Sequence, residues 1–315
     1  RSSKLCSILL STSWLFFLYS GVAYGKDYYV ELDVGGGYNS NVFLESDETI
    51  SIGEVSESES ENAEERGDLQ SIMGFSAGYE FMDLSHGDGK ILFDFVNEKL
   101  ADNDIDISTS AISSPYTLYV DNFKLRVMPR MLVYTVGGVE VLQYRGVSFD
   151  LTRKTAGYKM GIGYQVTDKS AEDVNYLAYD GVVQDLNFHF SPREFSGRYT
   201  LVLGLSNNEY GETIEGDESH TALYLSGAYQ FRHKKYTGKL YAKIKNTHYV
   251  SDPFNGFERQ DTNLRMYYKQ SYYLSKTTTI FLQSEYMNNH SNQTEEEEDK
   301  NYSQWINMAG VRWQF

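Results

Sequence analysis

Ser303-Gln304-Trp305-Ile306-Asn307-Met308-Ala309-Gly310-Val311-Arg312-Trp313-Gln314-Phe315 alternates along most of its length. Trp305, Ala309, Val311, Trp313 and Phe315 share one side, broken only by Asn307. Gln304, Gly310, Arg312 and Gln314 share the other, with Ile306 and Met308 as exceptions. A period of two marks a β-strand, here with an aromatic, apolar face opposite a mostly polar one. Such a strand suits either a sandwich or the wall of a barrel whose outside meets lipid, and the rest of the chain decides between them.

At the other end, Arg1 and Lys4 precede an apolar run over 5–18, and Ala23 and Gly25 satisfy the small-x-small rule of a cleavage site. Residues 1–25 therefore read as a secretory signal peptide, removed to leave 26–315. The run is short of the roughly 20 residues that a spanning helix needs. Cys6, the single cysteine, lies in that segment, so a disulfide framework, a thiol nucleophile and thiolate metal sites are excluded for the mature chain. After residue 25 no apolar stretch is long enough for a membrane helix. Aromatic residues make up 15% of the chain, the usage that strands and interfacial girdles favour. The formal charge of −16 is local: 45–68 holds ten acids and one base, and 295–299 holds five acids. The acidity thus belongs to two external loops, near 44–68 and 288–300, and not to the body. No basic patch suited to nucleic acid is visible.

Alternation recurs between these ends. Strands are expected over 28–43, 69–82 and 91–99, and the polar stretch 101–114 reads as a loop. A strand over 116–127 slips phase at Asp121-Asn122, the mark of a bulge, and Met128-Pro129-Arg130 reads as a turn into 132–143. Over 152–166, Tyr158, Met160, Ile162, Tyr164 and Val166 point one way and Arg153, Lys159, Gly161, Gly163 and Gln165 the other. A hairpin is expected over 174–190 around Asp180-Gly181, then strands over 199–206, 220–231, 236–247, 263–274, 278–287 and the closing stretch. Short links alternate with long ones. A sandwich requires only one face of each strand to meet another sheet, whereas a barrel requires each strand apolar outside and small or polar inside, as here. The expectation is one all-β domain over 26–315, an antiparallel transmembrane β-barrel of about 14 strands, with 12 as the alternative because single-chain bacterial barrels are even-numbered.

Two stretches carry a resemblance. The C-terminal strand resembles the last strand of bacterial outer-membrane β-barrels, which implies that Trp313 and Phe315 are read by the barrel-assembly machinery. It also implies residence in a Gram-negative outer membrane, against its lipid and lipopolysaccharide. Gly37-Tyr38-Asn39-Ser40-Asn41-Val42 resembles the opening strand of β-barrel porins and of the barrel domain of surface-lipoprotein assembly modifiers. The first likeness implies a channel; the second implies a module that assists surface export or assembly of a lipoprotein or polysaccharide.

On the inward phase, bases gather on the middle and later strands: Arg153, Lys159, Arg198, Lys239, Lys243, Lys245, Arg265 and Lys269. Acids gather on the early ones: Glu31, Asp33, Glu80, Asp94 and Glu98. Fixed charges of this kind select among solutes, so the expected activity is non-enzymatic passage of small polar or anionic solutes. The bland alternative is that these groups pair across a filled interior. His189 and Ser191, two apart on one face, resemble the His-x-Ser of outer-membrane phospholipase A and give a third reading, a lipase. That family's continuation is missing from Phe190-Ser191-Pro192-Arg193, and His189 falls on the lumen phase. The histidines show no metal-ligand spacing, and no cofactor is expected.

Overall fold

The computed structural model describes residues 28–40, 67–84, 86–101, 105–171, 180–192, 197–210, 219–249, 259–292 and 301–315. The expected signal peptide, most of the two acid-rich loops and the arm expected over 174–179 lie outside the described residues. The strands are β1 Tyr28–Asn39, β2 Asp68–Leu84, β3 Gly87–Leu100, β4 Ile105–Ser113, β5 Tyr116–Val120, β6 Phe123–Val136, β7 Val139–Lys154 and β8 Tyr158–Ala171. They continue as β9 Gly181–Pro192, β10 Gly197–Tyr210, β11 His220–His233, β12 Tyr236–Tyr249, β13 Gln260–Tyr273, β14 Thr278–Ser291 and β15 Tyr302–Gln314. All pairings are antiparallel. β4 and β5 both lie between β3 and β6 and are two parts of one wall strand, and β15 pairs back onto β1, so the sheet closes as a 14-stranded barrel. Both termini of the described barrel lie at the end of short turns, and the longer connections gather at the other end.

The distribution of side chains is the reverse of a soluble protein's. Large apolar groups such as Met73, Phe93, Ile162, Leu203, Leu225, Ile244 and Leu282 are exposed, while Glu31, Glu98, Thr152, Gln283, Glu285 and Gln304 are buried. An outward apolar band with a polar interior is what hydrocarbon selects for a spanning barrel. Aromatic pairs such as Tyr199–Tyr229, with ring centroids 4.4 Å apart, and Tyr236–Tyr272, 4.8 Å apart, form part of a girdle near the short-turn end. Ile306 and Met308, the exceptions in the closing strand, are buried on the inner face.

The strand number matches expectation, but several local readings are corrected. Asp121-Asn122 is a two-residue turn between β5 and β6, with Asp121 at φ 51°, and not a bulge. Pro129 is no turn residue: it sits within β6 opposite Val147. A proline is tolerated there because its neighbour on the other side is the break at Ser114-Pro115, where Ser114 N donates to Pro129 O at 3.0 Å. The stretch 132–143 divides at Gly137-Gly138, whose φ of 58° and 81° suit the tight turn joining β6 to β7. The stretch 152–166 likewise divides at 155–157 into β7 and β8, and Gly181 pairs with Lys169 as the first residue of β9 after a longer connection.

The polar stretch expected as a loop over 101–114 is largely β4, hidden because its faces are inverted. At this rim Leu100, Ile107, Ala111, Leu132, Tyr134 and Leu142 are buried together. The outward positions are Asn97, Lys99, Asp106, Ser108, Ser110 and Thr135, with Asn97 donating to Asp106 and the Ser108 and Thr135 hydroxyls bonded to each other. Water selects that polarity, so the long-loop ends of β3, β4 and β6 stand above the apolar band.

Closure depends on the β1–β15 seam. Arg312 Nε and Nη2 donate to Asp33 Oδ1 and Oδ2, both at 2.7 Å, and Arg312 Nε lies 2.9 Å from Glu31 Oε1. Gln314 Nε2 donates to Glu31 Oε2 and Gln304 Nε2 to Asn39 Oδ1, each at 2.8 Å. Gly35 and Gly310 face each other across this seam, and a Cβ on Gly310 would come within 2.4 Å of Val34 O and 2.5 Å of the Phe281 ring, so the wall accepts no side chain there.

Two outcomes follow from this architecture. Ile162→Arg places a charge on the lipid face and costs about 2 to 4 kcal/mol near mid-bilayer, whereas Gln165→Arg on the inner face of the same strand leaves assembly intact. Yield of heat-modifiable barrel in the membrane fraction separates the two. Arg312→Leu leaves Glu31 and Asp33 buried without their cation and lowers stability by about 3 to 5 kcal/mol, read as a lower urea midpoint in detergent.

Candidate functional site: the charged lumen

β12 carries Lys239, Lys243 and Lys245 at alternate positions whose outward neighbours are Leu240, Ala242 and Ile244. β13 does the same with Arg265 and Lys269, between outward Met266 and Tyr268. The register sets Lys239 opposite Lys269, Lys243 opposite Arg265 and Lys245 opposite Asn263. With neighbouring strands about 4.8 Å apart, these cations form two groups on the inner wall, Lys239 with Lys269 and Lys243 and Lys245 with Arg265, separated by the inward pair Tyr241 and Tyr267.

Aromatic faces and three carboxylates hold the patch together. Lys243 Nζ sits 4.1 Å from the centre of the Tyr224 ring, and Lys269 Nζ 4.3 Å from that of Phe281. A ring face attracts a cation without cancelling its charge. Those rings lie against glycine: a Cβ on Gly204 would be 2.1 Å from Tyr224 and one on Gly310 2.5 Å from Phe281. Tyr224 Oη donates to Asp185 Oδ1 at 2.9 Å, fixing the ring across β10. Arg265 Nε lies 2.5 Å from the buried Glu285, and Asp185 and Asp261 also face the patch, beside Lys243 and Lys245.

The acids expected on early strands are on the inner face, but most are engaged. Glu31 and Asp33 meet Arg312, and Glu80 Oε2 accepts from Lys90 Nζ at 2.9 Å. Glu98 accepts from Gln70 Nε2 at 2.7 Å. Lys159 and Arg198 also lie on the inward phase, near the short-turn end, opposite Ser191 and Gln230. Arg153 does not: it pairs with outward Met160 and its guanidinium stands 5.7 Å from the Phe123 ring, on the outside. Its phase was misassigned because the turn at 155–157 resets the alternation. Trp313 lies on the outer face opposite Leu32, and Phe315, with an exposed side chain, donates its N–H to Val30 O at 2.9 Å.

Sequence reasoning missed Lys124, Arg126 and Arg130 on the inner face of β6 and Lys169 on that of β8. The alternation of Lys124, Arg126 and Arg130 with Leu125, Val127 and Met131 was the available signal, obscured by assigning the proline to a turn. His189 Nδ1 lies 3.5 Å from Asp150 Oδ2, and its Nε2 is 3.3 Å from Thr152 Oγ1. Ser191 Oγ bonds instead to Thr200 Oγ1 at 3.0 Å. His189 and Ser191 thus have separate partners on the lumen side and do not form a nucleophile and base facing lipid. Among the described residues no group of three or more His, Cys, Asp or Glu side chains is placed to hold a metal ion.

A closed barrel with an exposed apolar band, an aromatic girdle and a charged interior defines the outer-membrane β-barrel class. Comparison with solved structures agrees. OmpT of Vibrio cholerae, an outer-membrane protein, superposes with a TM-score of 0.51 at 8% identity over 93% of this chain and 100% of that one. Its variant lacking loop L8 gives 0.50 at 7% identity over 92% and 98% of the two chains. These likenesses are of fold. No protein-family model and no curated protein sequence matches the chain.

Proposed function

We propose that the barrel is an outer-membrane channel for small polar solutes with a preference for anions. The observation that carries this is the cationic patch of β12 and β13, with Lys239 directly opposite Lys269 and Lys243 directly opposite Arg265 on the lumen wall. Like charges so close repel, and their juxtaposition is tolerated where water or a passing anion screens them. The acids that would offset them across the lumen are in large part tied to Arg312 and Lys90. Buried inner side chains at mid-height, among them Tyr267, Glu285 and Met308, narrow the passage and favour small solutes. The patch selects through its fixed positive potential and has no reacting groups to bring together, so the reading is of a passive, non-enzymatic channel.

In planar bilayers under a salt gradient, the wild-type reversal potential is expected to show anion preference. The triple change Lys239→Glu, Lys243→Glu and Lys245→Glu is expected to reverse its sign without loss of heat-modifiable mobility, since all three side chains point away from lipid. Cation preference in the wild type, or no conductance, overturns the proposal.

A further inference from the structure

The two cation groups of β12 and β13 differ in how fully acids offset them. Around Lys243, Lys245 and Arg265 stand Asp185, Asp261 and Glu285, a carboxylate for each base. On the short-turn side of Tyr241 and Tyr267 the balance is different. Lys239 lies directly opposite Lys269, and Lys269 directly opposite Gln283, so three adjacent strands present a row of nitrogen-bearing side chains on the inner face. Lys239 has no ion-pair partner among the described residues. Lys269 rests its ammonium on the Phe281 ring, which leaves the charge in place. The acids that face Lys269, Glu31 and Asp33, are already engaged. Arg312 reaches both oxygens of Asp33 and one of Glu31, and Gln314 Nε2 donates to the other.

Gln283 points the same way by an independent route. It is 4% exposed, and its Oε1 accepts from Tyr267 Oη at 3.3 Å. That bond leaves Nε2 as the spare donor, and Nε2 has no hydrogen-bond partner among the described residues. Glu285, the next inward residue on β14, is held by Arg265. Buried polar atoms ordinarily have partners. A buried N–H without an acceptor, in line with two ammoniums whose charge exceeds that of the acids left to meet it, is the complement of an anion with several acceptor oxygens. A tetrahedral dianion offers oxygens to all three donors and matches both positive charges, whereas a monoanion leaves one ammonium uncompensated. We propose that Lys239, Lys269 and Gln283 Nε2 form a seat for a doubly charged tetrahedral oxyanion, sulfate or a small phosphate ester, on the short-turn side of the tyrosine pair. As the class of solute in transit this rests on the channel reading; as a binding site it is read without conduction.

The test is equilibrium dialysis of radiolabelled sulfate against the purified barrel in detergent micelles, at constant ionic strength in mildly alkaline buffer. Methyl phosphate, a dianionic ester, and methanesulfonate, of similar shape with a single charge, compete for the site. The expected result is saturable sulfate binding, displaced by methyl phosphate, with methanesulfonate about tenfold weaker or more. Displacement by methyl phosphate at lower concentration than by unlabelled sulfate supports the seat and assigns it to an ester; the reverse order supports it and assigns it to the free ion. Lys239→Met and Gln283→Met each remove a donor from the row and are expected to weaken sulfate binding by about tenfold. Lys159→Met removes an inward cation from β8 and is expected to change it by less than about twofold. Methanesulfonate equal to sulfate, or a loss in Lys159→Met as large as in Lys239→Met, overturns the inference, the latter because it shows a diffuse potential in place of a seat. A loss in Lys239→Met with none in Gln283→Met overturns the three-donor arrangement. Because the anions are compared on the wild-type barrel, the charge requirement is read even where a variant fails to assemble. No saturable sulfate binding in a barrel that keeps anion preference in planar bilayers overturns the seat and leaves the channel. Saturable binding without conductance overturns the channel and leaves the seat.

Discussion

Inside a bilayer no water is available to an unpaired peptide group, and this one constraint organises the molecule. A sheet meets it only by having no edge. β15 must therefore find β1, and the register that joins them sets Arg312 beside Asp33 and Glu31 and Gln314 beside Glu31. The same closure fixes which face of every strand looks inward. Once the seam is in register, the lysines of β12 and β13 have no alternative to the lumen.

A charged interior brings its own difficulty, because each desolvated cation must be compensated without being neutralised if it is to act on solutes. The wall solves this with glycine and aromatic residues placed on neighbouring strands. Where a glycine leaves the inner face bare, a ring from an adjacent strand lies down over it, as Tyr224 does at Gly204 and Phe281 at Gly310. The lysine from the next strand then rests on the ring. Glycine in these strands is thus part of how charge is positioned. It contributes twice along the seam, where Gly35 and Gly310 also allow the first and last strands to approach.

The sequence disclosed the architecture through its period of two and failed where that period was reset or reversed. Strands such as β12, with Leu240, Ala242 and Ile244 outside and lysines inside, follow a single rule from end to end and were legible. The turn at 155–157 shifts the phase within a stretch that still looks continuous, so Lys159 was placed correctly and Arg153 was not. β4 was invisible for a different reason: its rim lies in water, apolar residues turn inward, and a rule written for lipid reads Asp106, Ser108 and Ser110 as loop. Pro129 misled because the break that accommodates it is in another strand, about fifteen residues away in sequence. The lysine patch was legible because it depends on one hairpin. The ion cluster of Arg312 with Glu31 and Asp33 was not, since it joins the first strand to the last and exists only after closure.

The charges of the seam also bear on which strands can recognise each other. Asp33 and Arg312 are 279 positions apart, so until the sheet closes β1 and β15 are bare edges open to any strand that meets them. The inward charges of β1 are acidic and the one of β15 is basic. Two copies of β1 laid together would bring carboxylates face to face, and two copies of β15 would oppose arginines; only the unlike pair sets a cation beside anions. The chain that links the two strands then raises their mutual concentration above that of any second copy. Discrimination between self-closure and association with another molecule is therefore written into three side chains, in the same ion cluster that stabilises the finished barrel.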